Sequence, residues 1–294
     1  MKVEIATCPC SWGVFWSDGS PSHTPANVFM DMAAASGYVG IELGPVGYLP
    51  TTKAELDREF GPRGLVARAG TACYEIDEMA SFEDVRERAT SLCSLLRDLD
   101  VHYLVMMDES KFGKSRKAKA EAPRSRILKN YNIIKDYVEF AKGYGVTVVY
   151  HPHDRSIVET EEEILDLMEV SGCMLCLDFG HHQLDNAKTA DFGDRTAIDF
   201  FLKHHERIPF LHFKNTDAKA LAARLADPEG EDEGCPFCPL SEGVIDFKEL
   251  KRALEAVNFD GIGVVEQDMA HAKPEESFEL SKKNREYLHE IGMI

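Results

Sequence analysis

The chain has 294 residues, 44% of them hydrophobic, and a formal net charge of −18 from 51 acidic against 33 basic side chains. That length accommodates two ordinary domains or one α/β barrel of the usual ~250 residues. The charge argues against a nucleic-acid partner, since holding phosphates takes a basic face, and no apolar run approaches the roughly 20 residues of a membrane span. The N-terminus lacks an apolar signal segment. Eight cysteines without secretory features point to reduced thiols and a cytoplasmic location.

In chain order, strand and helix signals alternate. Residues 3–8 read as an apolar strand that empties into the turn formers Pro9-Cys10-Ser11-Trp12-Gly13. Residues 25–36 follow as a helix, with Thr24 at its N-cap, Pro25 in its first position and Gly37 as its stop. Residues 38–43 form a strand that delivers Glu42, residues 55–60 a short helix, and residues 64–69 a third strand. A helix over 81–96 carries Val85, Ala89, Leu92 and Leu96 at helical spacing, and a fourth strand covers 101–107. The basic, polar stretch 108–123 reads as a solvated surface loop, with a lid over an acidic site as the functional alternative. Residues 125–145 make a long amphipathic helix ended by Gly145. Then come a strand at 146–151, a helix at 159–170, a strand at 174–178, a helical region at 187–205 and a strand at 208–213. A helix at 247–257, a strand at 261–266 and a closing helix at 275–291 complete the chain.

Eight strands alternating with eight helical segments, and no linker poor in structure, predict a single-domain α/β protein, a (β/α)8 TIM barrel over residues 1–294. An open doubly wound sheet would place a glycine-rich phosphate loop after the first strand, where this chain has CPCSWG. In a barrel the C-terminal strand ends build the active site. Glu42, His151, His153, Asp178, His181, His212, Lys214 and Glu266 all fall there. A carboxylate at a strand end can simply cap the next helix, Asp178 above all, and a lone buried histidine is often a hydrogen-bonded core residue. Four successive strands discharging into polar residues at the same end is a pattern that independent capping does not produce. Alternation in Phe210-Leu211-His212-Phe213-Lys214 points His212 and Lys214 to one side. Carboxylate with imidazole suits one divalent metal, Mn²⁺ first, with Co²⁺, Fe²⁺, Zn²⁺ or Mg²⁺ as alternatives. Trp12, Phe15 and Trp16 either pack on a sugar ring or close the barrel top. Cys235-Pro236-Phe237-Cys238 reads as ordinary reduced loop cysteines, the alternatives being a redox pair or a zinc site shared with Cys8 and Cys10.

The segments VVYHPHDRSIVET, CLDFGH, FLHFKN, EGVIDF and VVEQD resemble, in order and spacing, the xylose-isomerase-like barrel superfamily of sugar isomerases, epimerases and dehydratases. Within it they look most like myo-inosose (2-keto-myo-inositol) dehydratases, most densely between residues 146 and 268. The resemblance implies one metal held from strands five to eight, commonly by Glu, Asp, His and Glu. By position these are His151 in place of the first glutamate, Asp178, His212 and Glu266, with Glu159 a rival to His151. It also places His181 and Lys214 near substrate. The ketose epimerases of the superfamily use two glutamates as acid and base, so His151 favours elimination over 3-epimerisation. The implied activity is a metal-dependent carbon–oxygen lyase, a dehydratase of a cyclic polyol ketone or keto-sugar working through an enolate. A sugar isomerase or epimerase is the alternative. Glu266 or Lys214 would be the base and His153, His181 or Glu159 the acid, with Glu42, Trp12 and Trp16 on substrate. The expected partner is a small polyol or sugar, with neither nucleic acid nor membrane; a homo-oligomer is compatible. Multi-metal DNA-repair endonucleases of the superfamily are disfavoured by the acidic charge, and a catalytically dead sugar-binding barrel by the intact Asp178, His212 and Glu266.

Overall fold

A computed structural model of the chain describes residues 1–15, 24–230, 234–270 and 272–294. Its strands are β1 (Lys2–Thr7), β2 (Gly40–Glu42), β3 (Val66–Tyr74), β4 (Tyr103–Asp108), β5 (Thr147–Tyr150), β6 (Met174–Asp178), β7 (Phe210–Phe213), β8 (Asn215–Thr216), β9 (Phe237–Cys238) and β10 (Asp260–Val265). All but β8 and β9 close into one parallel barrel in the order β1-β10-β7-β6-β5-β4-β3-β2, and β8 pairs with β9 as an antiparallel ribbon at its mouth. The helices are α1 (Ala26–Ala35), α2 (Lys53–Phe60), α3 (Arg86–Asp98), α4 (Arg116–Ala120), α5 (Arg124–Lys142), α6 (Glu161–Ser171), α7 (Phe179–Asn186), α8 (Thr196–His204), α9 (Ala218–Ala226), α10 (Phe247–Ala256) and α11 (Pro274–Glu290). The (β/α)8 TIM barrel expected from the alternation is therefore the fold. Among the described residues no helix is long and apolar enough to cross a membrane.

The barrel positions the site through the two-residue period of its strands. A small apolar cluster separate from the main core joins Ala6, Cys8, Ala69, Val105, Val149, Cys176, Phe210, Ile262 and Val264, the inward residues of seven successive or neighbouring strands. One period further along, the same inward direction belongs to His151, Asp178, His212 and Glu266, and Thr71 follows Ala69 in the same way. A further period brings His153, Lys214 and Asp268. The chain thus stacks an apolar plug beneath two polar layers, which is how barrel interiors are filled.

Local sequence explains where helices differ from expectation. The helical region predicted over 187–205 forms a helix only from Thr196, as α8, and an unexpected helix, α7, precedes it, beginning directly at Phe179. Asp178 supplies its cap, Oδ1 accepting from the backbone N–H of His181 at 2.9 Å. Gly180 is required there: a Cβ would lie 2.6 Å from Cγ of Lys214. Thr24 does not cap α1; Pro25 stands at that position and the Thr24 hydroxyl donates to the carbonyl of Trp12 at 2.9 Å.

The basic stretch after β4 is not a solvated loop. A short 3-10 turn and α4 pack it down, with Lys119 buried and Phe112 under the Arg126 guanidinium at 3.8 Å. Gly113 admits the close approach, since a Cβ would meet the backbone of Ser156 at 2.3 Å. Arg116 reaches Glu159 at 3.0 Å and Asp185 at 2.7 Å, while Lys119 meets Glu159 at 2.6 Å. The segment packs over an acidic cluster of Asp154, Glu159 and Asp185 and is held to it by ion pairs.

Candidate metal centre

Four residues from four neighbouring strand ends face one another. His151 follows β5, Asp178 ends β6, His212 lies within β7 and Glu266 follows β10. One donor atom from each falls within 4.8 Å of all the others. His151 Nε2 is 3.5 Å from Asp178 Oδ2; His212 Nδ1 is 3.6 Å from the same oxygen and 3.3 Å from Glu266 Oε2. None of these approaches is a hydrogen bond: both ring nitrogens of His151, Nδ1 of His212 and Oδ2 of Asp178 are buried without one. Buried polar groups are rarely left so. Donors aimed at a common point but not at each other are what a cation requires, and two imidazoles with two carboxylates are a donor set for a divalent ion of the Mn²⁺ to Zn²⁺ series.

The geometry of each donor is fixed from behind. Glu42 Oε2 contacts His212 Nε2 at 2.9 Å, and its Oε1 accepts from the Thr71 hydroxyl at 2.8 Å. Alternation along the three-residue β2 points Glu42 inward with Gly40, which pairs with the inward Ala6, and leaves Ile41 in the outer core. Asp178 spends Oδ1 on the α7 cap and turns Oδ2 to the centre. Lys214, wholly buried, donates to Glu266 Oε1 at 2.5 Å and lies 3.2 Å from both Asp178 Oδ2 and Asp268 Oδ1.

Charge follows from this crowding. Burial pushes the Lys214 ammonium down, but Asp178, Asp268 and Glu266 outweigh it and hold the group well above the ordinary lysine range. Burial likewise opposes a charge on His212, and Cys176, Glu266 and Glu42 outweigh it, so the imidazole is held well above its ordinary value. His151 goes the other way, lowered chiefly by burial. His181 is driven well below its ordinary range by burial and by neighbouring His153 and Lys214, which keeps its ring neutral.

A family model described as xylose isomerase-like TIM barrel matches residues 30–290. The chain belongs to that family. It is 31% identical to the rhizopine catabolism protein MocC of Rhizobium meliloti, over 93% of this chain and 85% of the relative. It is 26% identical to the inosose dehydratase of Geobacillus thermodenitrificans, over 98% and 97%. Among solved structures it resembles the IOLI protein crystallised with a zinc atom, at a TM-score of 0.73 and 15% identity over 99% of both chains, a likeness of fold.

In this xylose isomerase-like barrel, the second polar layer lies against the centre. His153 and His181 lie with ring centroids 4.1 Å apart and their planes tilted by 42°, and the peptide groups of Asp154 orient both. The Asp154 carbonyl accepts from His153 Nδ1 at 3.1 Å, which in the neutral ring puts the lone pair of His153 on Nε2. The Asp154 amide donates to His181 Nδ1 at 3.4 Å, which leaves a proton on Nε2 of His181. Arg155, left-handed at φ 55°, makes the turn that presents residue 154 in this way.

Three expectations for the family member are corrected. Glu159 neither rivals His151 as a ligand nor reaches the centre as an acid, because Lys119 and Arg116 hold it in the separate acidic cluster with Asp154 and Asp185. Glu42 is buried behind His212, with Oε2 on His212 Nε2 and Oε1 on the Thr71 hydroxyl, a place that orients the imidazole. Trp12 is buried in the main core, edge-on to Phe29 at 5.1 Å, and closes the barrel. Trp16 lies outside the described residues. Two neighbours of the centre escaped the sequence reading. Asp268 could have been found by counting two residues on from Glu266. Phe237, 4.6 Å from the ring of His181 and 4.7 Å from Lys214 Nζ, comes from the β9 ribbon and had no local signal.

Proposed function

We propose that the protein is a divalent-metal-dependent dehydratase that removes water from a cyclic polyol ketone of the inosose type. The observation that carries the reading is the convergence of four buried donor residues, three of them with ligand atoms that have no hydrogen bond, beside two histidines of opposite polarity. His151, Asp178, His212 and Glu266 would hold the metal, Mn²⁺ first among the candidates. When bound, that ion supplies Lewis-acid polarisation of a substrate oxygen.

The chain's own groups account for the proton movements. The Nε2 lone pair of His153 takes the proton from the carbon beside the ketone, and the electron pair moves toward the ketone oxygen. Lys214, held charged by three carboxylates, is a donor and not a base; its proton joins the departing hydroxyl, which leaves as water. His181, neutral and carrying its proton on Nε2, donates a hydrogen bond to a substrate oxygen without giving up the proton. Phe237 roofs both donors and excludes water from them. The inosose dehydratases among the relatives support the substrate class, and eight free cysteines suit a reducing cytoplasm.

Incubation of the metal-loaded protein with 2-keto-myo-inositol tests the reading. Elimination gives a new conjugated absorbance and a product lighter by one water. A stereoisomer of unchanged mass makes it an epimerase instead.

A further inference from the structure

The thiols after β1 are not used by this mechanism, yet they lie against the centre. Cys8 continues the inward row of β1 beyond Ala6, and the 3-10 turn over Pro9–Trp12 bends Cys10 back toward it. Gly13, at φ 75°, closes that turn with its N–H on the Cys10 carbonyl at 2.9 Å, and a Cβ there would meet the carbonyl of Met269 at 2.9 Å. The two sulfurs are thereby brought to 3.1 Å, and Cys8 Sγ donates to Glu266 Oε2 at 3.2 Å. One donor atom each from Cys8, Cys10 and Glu266 lies within 4.8 Å of the other two.

We propose that Cys8, Cys10 and Glu266 form a second cation site, one that takes a thiophilic divalent ion of the zinc or cobalt class. Metal–sulfur and metal–oxygen bonds of about 2.3 and 2.1 Å in tetrahedral geometry separate such donors by roughly 3.5–3.8 Å. The sulfurs and the carboxylate need open by only about half an ångström to meet that spacing. Two sulfurs and a carboxylate make three protein ligands with one position left over, the pattern of an exchangeable rather than a closed zinc site. The sulfurs also separate this site in chemistry from the imidazole–carboxylate set, because soft donors select zinc and cobalt over magnesium and manganese. Binding replaces the two S–H bonds with sulfur–metal bonds and releases two protons to solvent, with no change of oxidation state. Glu266 belongs to both sets, so ions in the two sites share one carboxylate, as in two-metal centres. The other thiol pair does not contribute: Cys238 turns to the carbonyl of Asn215 and Cys235 to that of Asp268.

The site is tested on full-length protein stripped with a chelator, kept reduced with a phosphine and titrated with Co²⁺. The native chain is expected to develop a near-ultraviolet thiolate-to-cobalt charge-transfer band. It is also expected to bind one more cobalt ion per chain than Cys8→Ser or Cys10→Ser, each of which loses the band. Cys10→Ser guards against misfolding of the more deeply packed Cys8 variant. Asp178→Asn, which removes a donor of the first centre only, is expected to keep the band, so failure of that centre and failure of this site read differently. No sulfur band in the native chain, or a band that survives both serine variants, overturns the proposal.

Discussion

Glu42 Oε2 meets His212 Nε2 at 2.9 Å from across the barrel, and the opposite ring nitrogen of His212 faces Asp178 and Glu266. A carboxylate behind a ligating imidazole fixes its tautomer and raises its basicity. Glu42→Gln is nearly isosteric but carries no charge, and it is expected to weaken divalent-metal affinity by about 10- to 100-fold. Competition with a chromophoric chelator measures this; unchanged affinity would show that His212 is oriented by something else.

Asp178 divides its two oxygens between a helix cap and the centre, and substitution separates the two tasks. Asparagine remains a good N-cap, so Asp178→Asn is expected to lose metal and keep the cap, sharing with Asp178→Ala only the loss of charge beside Lys214. Asp178→Ala loses metal as well and in addition about 1 kcal/mol from the missing cap. Metal content and denaturant unfolding of the chelated proteins give the comparison. Equal stability of the two variants in the chelated state would sink the capping role.

Lys214 is a wholly buried cation among three carboxylates. Removing one member of such a buried set leaves charge uncompensated and costs about 3–5 kcal/mol. Lys214→Met is therefore expected to destabilise the chelated protein by that order and to abolish turnover. Added divalent metal, which restores positive charge, should recover part of the stability and none of the turnover. Urea midpoints with and without metal check the first two outcomes, and recovery of activity by metal alone would remove Lys214 from the chemistry.

Phe237 covers Lys214 and His181 with an aromatic face. Phe237→Leu keeps an apolar side chain of similar size, a change expected to cost less than about 1.5 kcal/mol. It gives up the ring contacts with the donors, so KM for a cyclic ketone should rise several-fold, with a smaller fall in kcat. A fall in kcat alone would mean that the ring shields the donors without touching substrate.

The strands and their polar ends were legible because each is a short apolar run whose period of two continues past its last residue. The pairs that make the site work were not, because they join distant segments: Glu42 with His212, Lys119 with Glu159 and Phe237 with His181. The helix α7 escaped notice since its sequence, FGHHQLDN, is polar where a buried helix should be apolar. Its burial is of histidines and a glutamine held by hydrogen bonds, such as Gln183 to Asp194 at 2.6 Å. The segment after β4 misled by its lysines and arginines, of which Arg116 and Lys119 meet the buried carboxylate of Glu159.

The four donors of the centre have between 1% and 8% of their surfaces exposed. A cation held in such a place would exchange with solvent only when the residues that cover it open, so its release would be governed by the rate of that opening and not by affinity alone. The ion found in the purified protein then records which one was abundant while the chain folded. Cells grown in manganese-rich or cobalt-rich medium are expected to yield proteins of different metal content that interconvert slowly on dialysis, and quickly only once denaturant loosens the barrel mouth.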